Sequence, residues 1–229
     1  MIWMSVSFYQ TSIPEIKFIH IQNQVFSYPM HTHRASYTIV MVQKGEVNLN
    51  NTRYFAQQFF TINPCEAHQL TTPKPSSLFT CSIESTFFTK YEPNEQTTIL
   101  NRLLHHPTLE KYFSYSFSFK TQLESFLEQK KMPTRNYPII PKEITTSFLR
   151  KFKRTWGLTP HQFKIQNKVR LTQTLLVQTT QSFTHIAHEN DYYDQSHFIH
   201  TFKKWLNLTP KKYQQAQYYI DINIELEKT

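Results

Sequence analysis

Two stretches fifty positions apart, "FLRKFKRTWGLTP" at 148–160 and "FIHTFKKWLNLTP" at 198–210, are copies of one another. Phe148/Phe198, Phe152/Phe202, Lys153/Lys203, Leu158/Leu208, Thr159/Thr209 and Pro160/Pro210 are identical pairs, while Arg154/Lys204 and Leu149/Ile199 keep the same chemistry. Aromatics at i and i+4 fall on one face of a helix, so each copy predicts a helix buried on its phenylalanine side, with its basic residues outward or along the edges. Gly157 and Asn207 then stand where a left-handed cap ends the helix, and Leu-Thr-Pro starts the next segment. A chain with two such corners must contain a helical domain built from two similar units.

The segment between the copies predicts the geometry that joins them. "HQFKIQNKVRLTQTLLVQTT" reads as one long helix, with Ile165, Val169, Leu171, Leu175 and Leu176 as its apolar side. Ahead of the second copy, "SFTHIAHENDYYDQSHF" reads as a short helix capped by Ser182, a tight turn at Asn190-Asp191, and a second helix capped by Asp194. Helix, short turn and helix with an exposed polar start is the helix-turn-helix arrangement, although corners of this kind also occur in ordinary bundles. Charge separates the two readings. Residues 1–134 have a net charge of +2, residues 135–217 carry +9, and the remainder carries −2. A solvated basic surface would account for charge alone; charge gathered on a repeated helix favours a polyanion, with nucleic acid the foremost example.

These residues resemble the signature of AraC/XylS-type transcription regulators, above all in "HIAHENDYYDQSHFIHTFKKWLNLTPKKY", and the likeness runs over about residues 144–213. It implies two helix-turn-helix units joined by the long helix. Asp191 and Asn207 replace the glycines usual in the family, a mild change because both tolerate the left-handed region. The first unit departs further: "MPTRNYPIIPKE" stands where its scaffold helix belongs, and Pro138 and Pro141 prevent an ordinary helix there. The resemblance implies that Gln195, Ser196, His197 and His200 face base edges in the second unit, supported by Lys203 and Lys204. In the first unit it assigns Arg150, with Thr146 and Ser147, to bases and Lys153 and Arg154 to phosphates.

The first ninety residues have a different texture. "SYTIVMVQKGEVNLN", with a turn at Lys44-Gly45, "QQFFTINP" and "SLFTCSIES" read as short strands of a sandwich or small barrel. Through "HTHRASYTIVMVQKGEVNL" and "INPCEAH" this part resembles the cupin-like sensor barrel of the same regulators. That likeness implies a pocket for a small effector lined by His31, His33, Tyr37 and His68. In metal-binding cupins an HxH pair, a Glu and a later His hold the ion. Imidazoles at this spacing could bind zinc or iron with an open position, but Tyr37 stands in place of the Glu here, so the expectation favours histidines that line an organic-ligand pocket or lie at the surface, with no cofactor.

The fold class expected is therefore α+β and multidomain, with an amino-terminal cupin-like β-barrel and a carboxy-terminal all-α domain whose first helix-turn-helix unit is atypical. The segments are a sensor domain at 1–92, a helical linker at 93–131, a DNA-binding domain at 132–217 with a proline-rich hinge at 132–141, and a tail at 218–229. The linker stripe Leu123, Phe126 and Leu127 offers a dimer interface. With no signal peptide or long apolar run read in the sequence, the expected location is the cytoplasm, where Cys65 and Cys81 would stay reduced. The expected partners are double-stranded promoter DNA, a small effector, RNA polymerase and a second copy of the chain, with no membrane. Two rival readings stand beside this regulator: a metal-dependent cupin enzyme with a helical appendage, and a truncated regulator acting by heterodimerisation.

Overall fold

A computed structural model describes residues 6–113, 121, 123, 125, 126 and 138–222. Strands β1 (Val6–Thr11), β2 (Ile16–Gln24), β3 (Ser27–His31), β4 (Ser36–Lys44), β5 (Glu46–Leu49), β6 (Thr52–Phe55), β7 (Phe59–Ile62), β8 (His68–Thr71) and β9 (Ser76–Glu84) form two facing sheets, completed by β10 (Gln217–Ile220). One sheet has the order β10-β1-β2-β9-β4-β7, the other β3-β8-β5-β6. The β4–β5 turn is fixed by Gly45 at φ +82°, where a Cβ would meet Ser76 Oγ at 2.2 Å. The barrel interior is lined by Val6, Ile21, Val40, Val42, Val47, Leu70 and Leu78 with their neighbours.

β4 and β9 are central strands and present apolar residues to both sides. Their second face, with Ile39, Met41, Phe79, Cys81 and Ile83, forms a separate core against helices α1 (Phe87–Lys90), α2 (Pro93–Leu104) and α3 (Pro107–Phe113). Leu123 is 1% exposed within this core, and Phe126 packs against it. The dimer stripe expected at those two positions is thus turned inward onto the chain's own sheet; Leu127 lies outside the described residues. No described helix is long and apolar enough to cross a membrane.

The carboxy-terminal part contains α4 (Thr146–Trp156), α5 (Pro160–Gln178), α6 (Phe183–Glu189), α7 (Gln195–Leu206) and α8 (Pro210–Gln215). The repeat acts here as punctuation. Gly157 and Asn207 end α4 and α7 in the left-handed region, at φ +69° and +56°. Thr159 and Thr209 then cap α5 and α8, accepting from Gln162 N at 3.2 Å and from Lys212 N at 3.3 Å, with Pro160 and Pro210 in the first turn. The buried stripe of α5 is Phe163, Gln166, Val169, Thr172 and Leu176. Leu171, expected on its apolar side, is instead 54% exposed, because helical spacing turns it nearly opposite Val169. Residues 138–145 ahead of α4 are irregular, as the prolines there require; 132–137 of the hinge lie outside the described residues.

The last described strand returns to the barrel. β10 pairs parallel with β1, from Phe8 opposite Gln217 to Thr11 opposite Ile220, and Ile220 and Ile222 enter the core shared with Phe79 and Leu103. Residues 218–222, expected within a tail, therefore belong to the sheet and its core.

Candidate nucleic-acid interface

Each repeat helix is buried on its aromatic side and open on the other. On α4, Phe152 and Trp156 are buried, and Thr146, Ser147, Arg150, Lys153 and Arg154 are all exposed. The helical spacing of Ser147, Arg150 and Arg154 aligns them opposite Phe152. Thr145 accepts from Phe148 N at 3.2 Å and holds the first turn. No acidic residue stands on α4, so its outward face has an unbroken positive sign.

On α7, Phe198 and Phe202 are fully buried against Ile186, Ala187 and Tyr192, and Ser196, His200, Lys203 and Lys204 are exposed. Asp194 caps the helix by accepting from His197 N at 2.7 Å. Two of the expected base readers are engaged inside the unit. Gln195 Oε1 accepts from Thr184 Oγ1 at 2.6 Å, and His197 Nδ1 accepts from Tyr193 N at 3.1 Å while its ring lies against Tyr192. These contacts orient both side chains before any ligand arrives. They leave the Gln195 amide NH2 and His197 Nε2 as the groups free to reach outward. Lys168 of α5 ties the turn down by donating to Asp191 O at 2.8 Å, with its ammonium 4.8 Å from the Tyr192 ring centre.

At the barrel mouth the structure brings His31, His33 and His68 together. His31 and His68 are register partners on β3 and β8, the ring centres of the three lie 4.1–5.2 Å apart, and one ligand atom from each falls within 4.8 Å of the others. His31 Nδ1 lies 2.8 Å from Pro29 O and His68 Nδ1 lies 2.9 Å from Glu66 O. A carbonyl only accepts, so both Nδ1 atoms carry the proton and both Nε2 atoms present a lone pair. Burial holds all three imidazoles neutral. It pushes His31 down to about 3 with help from His68, takes His33 well below 6.5 with help from His31, His68 and Arg170, and lowers His68.

Tyr37 is not among them. Its ring packs on Phe88 and Phe126, at 5.6 and 5.2 Å between centres, on the face of β4 opposite Val40 and Val42. Alternation along the strand sends it to the helical layer rather than the barrel mouth.

The structure adds residues that the sequence did not single out, all where α5 closes over the barrel mouth. Gln166 brackets Thr32, between His31 and His33: its Oε1 accepts from Thr32 N at 3.2 Å and its Nε2 donates to Thr32 O. Arg170, one turn further along α5, is the cation felt by His33. Polar residues spaced like Gln166 and Thr172 on an otherwise apolar helix side were the only signal in the sequence.

Comparison with known proteins agrees with this geometry. Residues 145–216 match the model of a helix-turn-helix domain family. An uncharacterized HTH-type transcriptional regulator from Haemophilus influenzae is 31% identical over 70 residues, which is 31% of this chain and 24% of that protein. The probable transcriptional regulator LumQ from Photobacterium leiognathi is 23% identical over 95 residues, 40% of this chain and 38% of that protein. The chain thus matches well under half the length of either relative. A crystal structure of an apo variant of ToxT from Vibrio cholerae superposes with a TM-score of 0.50 at 12% identity, covering 88% of this chain and 97% of that one. That likeness is one of fold: a strand-rich amino-terminal domain followed by a helical carboxy-terminal one.

Proposed function

We propose that this chain, whose carboxy-terminal domain is an AraC-type helix-turn-helix domain behind a cupin-like barrel, is a sequence-specific DNA-binding transcription regulator controlled by a ligand at the barrel mouth. The observation that carries the reading is the pair of capped helices, α4 and α7, each anchored by two phenylalanines and each offering an exposed face with basic residues. Such a face suits the major groove: side chains of its first turns reach base edges, and Lys153, Arg154, Lys203 and Lys204 neutralise phosphates. Arg150 reads bases in the first unit. In the second, Ser196 and His200 do so together with the free ends of Gln195 and His197.

The experiment is selection of bound sequences from a random DNA pool by the full chain, followed by titration of the selected and scrambled sites at two salt concentrations. A regulator of this class prefers its site over scrambled DNA by about a thousandfold or more. Equal affinity for both sites would support the heterodimerising regulator instead. Replacing His200 by Ala should cost about 1–3 kcal/mol of discrimination at one base position and leave the fold intact.

A second reading concerns the ligand. Three neutral imidazoles, two with Nε2 lone pairs fixed by Nδ1 hydrogen bonds, fit a divalent transition-metal ion with positions left for water or an organic group. His31, His33 and His68 would hold it, and the metal would be the effector or part of its site. Titration with zinc or iron(II) separates the cases. Stoichiometric uptake that is lost when His68 is replaced by Gln and that changes DNA affinity supports a metal effector. No uptake leaves an organic ligand. Stoichiometric metal in a chain that selects no DNA sequence would favour the cupin enzyme.

A further inference from the structure

We infer that the barrel rim, formed by β3 with its following residues and by the 63–67 loop, is the support beneath the aromatic face of the first recognition helix, so that α4 can read DNA only while it is seated on the barrel. The inference rests on the DNA-binding reading and names how its two units differ.

The second unit contains its own support: α6 places Phe183, Ile186 and Ala187 beneath Phe198 and Phe202 of α7. Residues 138–145, directly ahead of α4, are irregular, and Pro138 and Pro141 disfavour a helix there. The aromatic face of α4 is nevertheless covered. Phe152 and Trp156 share one core with Leu158 and Phe163 of their own corner and with Cys65 of the barrel, joined by Met30 of β3, Ile140 and Phe148 at its edge. A third tie lies one turn along α5, where Gln166 brackets Thr32.

The two helix caps record the difference. Both need the left-handed conformation, and Asn207 supplies it in the second unit with its side chain in solvent. At Gly157 a Cβ would lie 2.3 Å from Ala67 Cβ, with the next atom, Ala67 Cα, at 3.8 Å. Glycine is thus required at 157, where Ala67 lies against the cap position itself, while at 207 an exposed asparagine side chain fits. The rim residues are also neighbours of the histidine cluster: Thr32 lies between His31 and His33, and Ala67 precedes His68. A ligand that moves these histidines moves the seat of α4; α7 also approaches β3 but has α6 beneath it as a second support.

The test uses the full chain and three variants: Gly157→Ala, Ala67→Gly, and both together. The alanine at 157 keeps the cap strained in the single and double variants alike, so only the rim contact distinguishes them. In DNA-free protein, hydrogen exchange of the α4 amides should accelerate by about tenfold or more in Gly157→Ala, without change in α7, and return toward wild type in the double variant. On the selected DNA site, footprinting of Gly157→Ala should show loss of the half contacted by Arg150 and retention of the half contacted by His200, with the lost half regained in the double variant. Unchanged α4 exchange in Gly157→Ala, or acceleration that the double variant does not correct, overturns the inference. Equal acceleration in α4 and α7 overturns it too. A wild-type chain that selects no DNA refutes the proposed function instead, and the exchange experiment still decides whether the rim supports α4.

Discussion

Replacing Gln166 by Leu should unfasten the helical domain from the barrel more than any change of similar volume elsewhere on α5. Gln166 is 8% exposed and Thr32 is 2% exposed, and the amide of the first satisfies both the N–H and the C=O of the second. Leucine fills about the same space and offers neither a donor nor an acceptor, so two buried backbone groups lose their partners together. Each such group costs about 1–3 kcal/mol when left dry, or about 2–6 kcal/mol for the pair if the interface stays closed. The interface need not stay closed. Undocking lets water reach Thr32, so the measured loss is the smaller of that penalty and the free energy of docking. Urea denaturation gives the loss, and exchange of the Thr32 amide shows which route is taken. Glu at 166 is the informative partner variant, because its carboxylate still accepts from Thr32 N but cannot donate to Thr32 O. A loss below about 0.5 kcal/mol with Thr32 still protected would show that the bracket does not hold the domains together.

Stability should fall as the pH falls from neutral, measured in chelator. His31, His33 and His68 titrate below their ordinary 6.5 in the folded chain, so the unfolded chain takes up protons first; stability is whole above about 6.5 and is lost as pH falls toward the folded values. His31, held at about 3, contributes about 2 kcal/mol to the loss between pH 6.5 and 5, His33 and His68 add to it in the same direction, and a flat profile by thermal melting would contradict the burial of the cluster. Leu123→Ala should cost about 2–5 kcal/mol of stability without changing the sedimentation coefficient, since Leu123 lies in the chain's own core; a change in oligomeric state without loss of stability would restore it to an interface. Arg154→Ala should weaken binding to all DNA sequences and lower the salt slope by about one unit, and a sequence-selective effect would move Arg154 from phosphates to bases.

The helical domain was legible because its signals are local. Phe148 and Phe152, Gly157, and the Thr159-Pro160 pair act within a few residues of one another, and each does in space what its spacing implies. The barrel was legible only in part. β4 reads "SYTIVMVQK", apolar on both faces because both are covered, so nothing in the string says whether Tyr37 or Thr38 looks inward. Leu123 and Phe126 show the same limit, since an apolar stripe does not say whether it meets its own sheet or a second chain. The histidine cluster needed the pairing of β3 with β8 to bring position 68 beside position 31, and the rim contact of Gly157 with Ala67 needed the whole fold. β10 was illegible, because "QYYI" is too short to announce a strand and its partner lies at the other end of the described chain.

The pairing of β10 with β1 bears on how the chain is made. Gln10 and Gln217 are hydrogen-bonded neighbours, yet 207 positions separate them. As the polypeptide leaves the ribosome, the barrel strands appear first, and the open edge of β1 must wait for the whole helical domain before its neighbour exists. At about 5–20 residues per second that wait is about 10–40 s, long compared with the microseconds in which hairpins form. Through that interval β1 presents unpaired backbone groups to any other extended chain. Expression at high level should therefore test this edge more severely than heating the finished protein does, and a chaperone that covers β1 during synthesis would protect the fold at its most exposed moment.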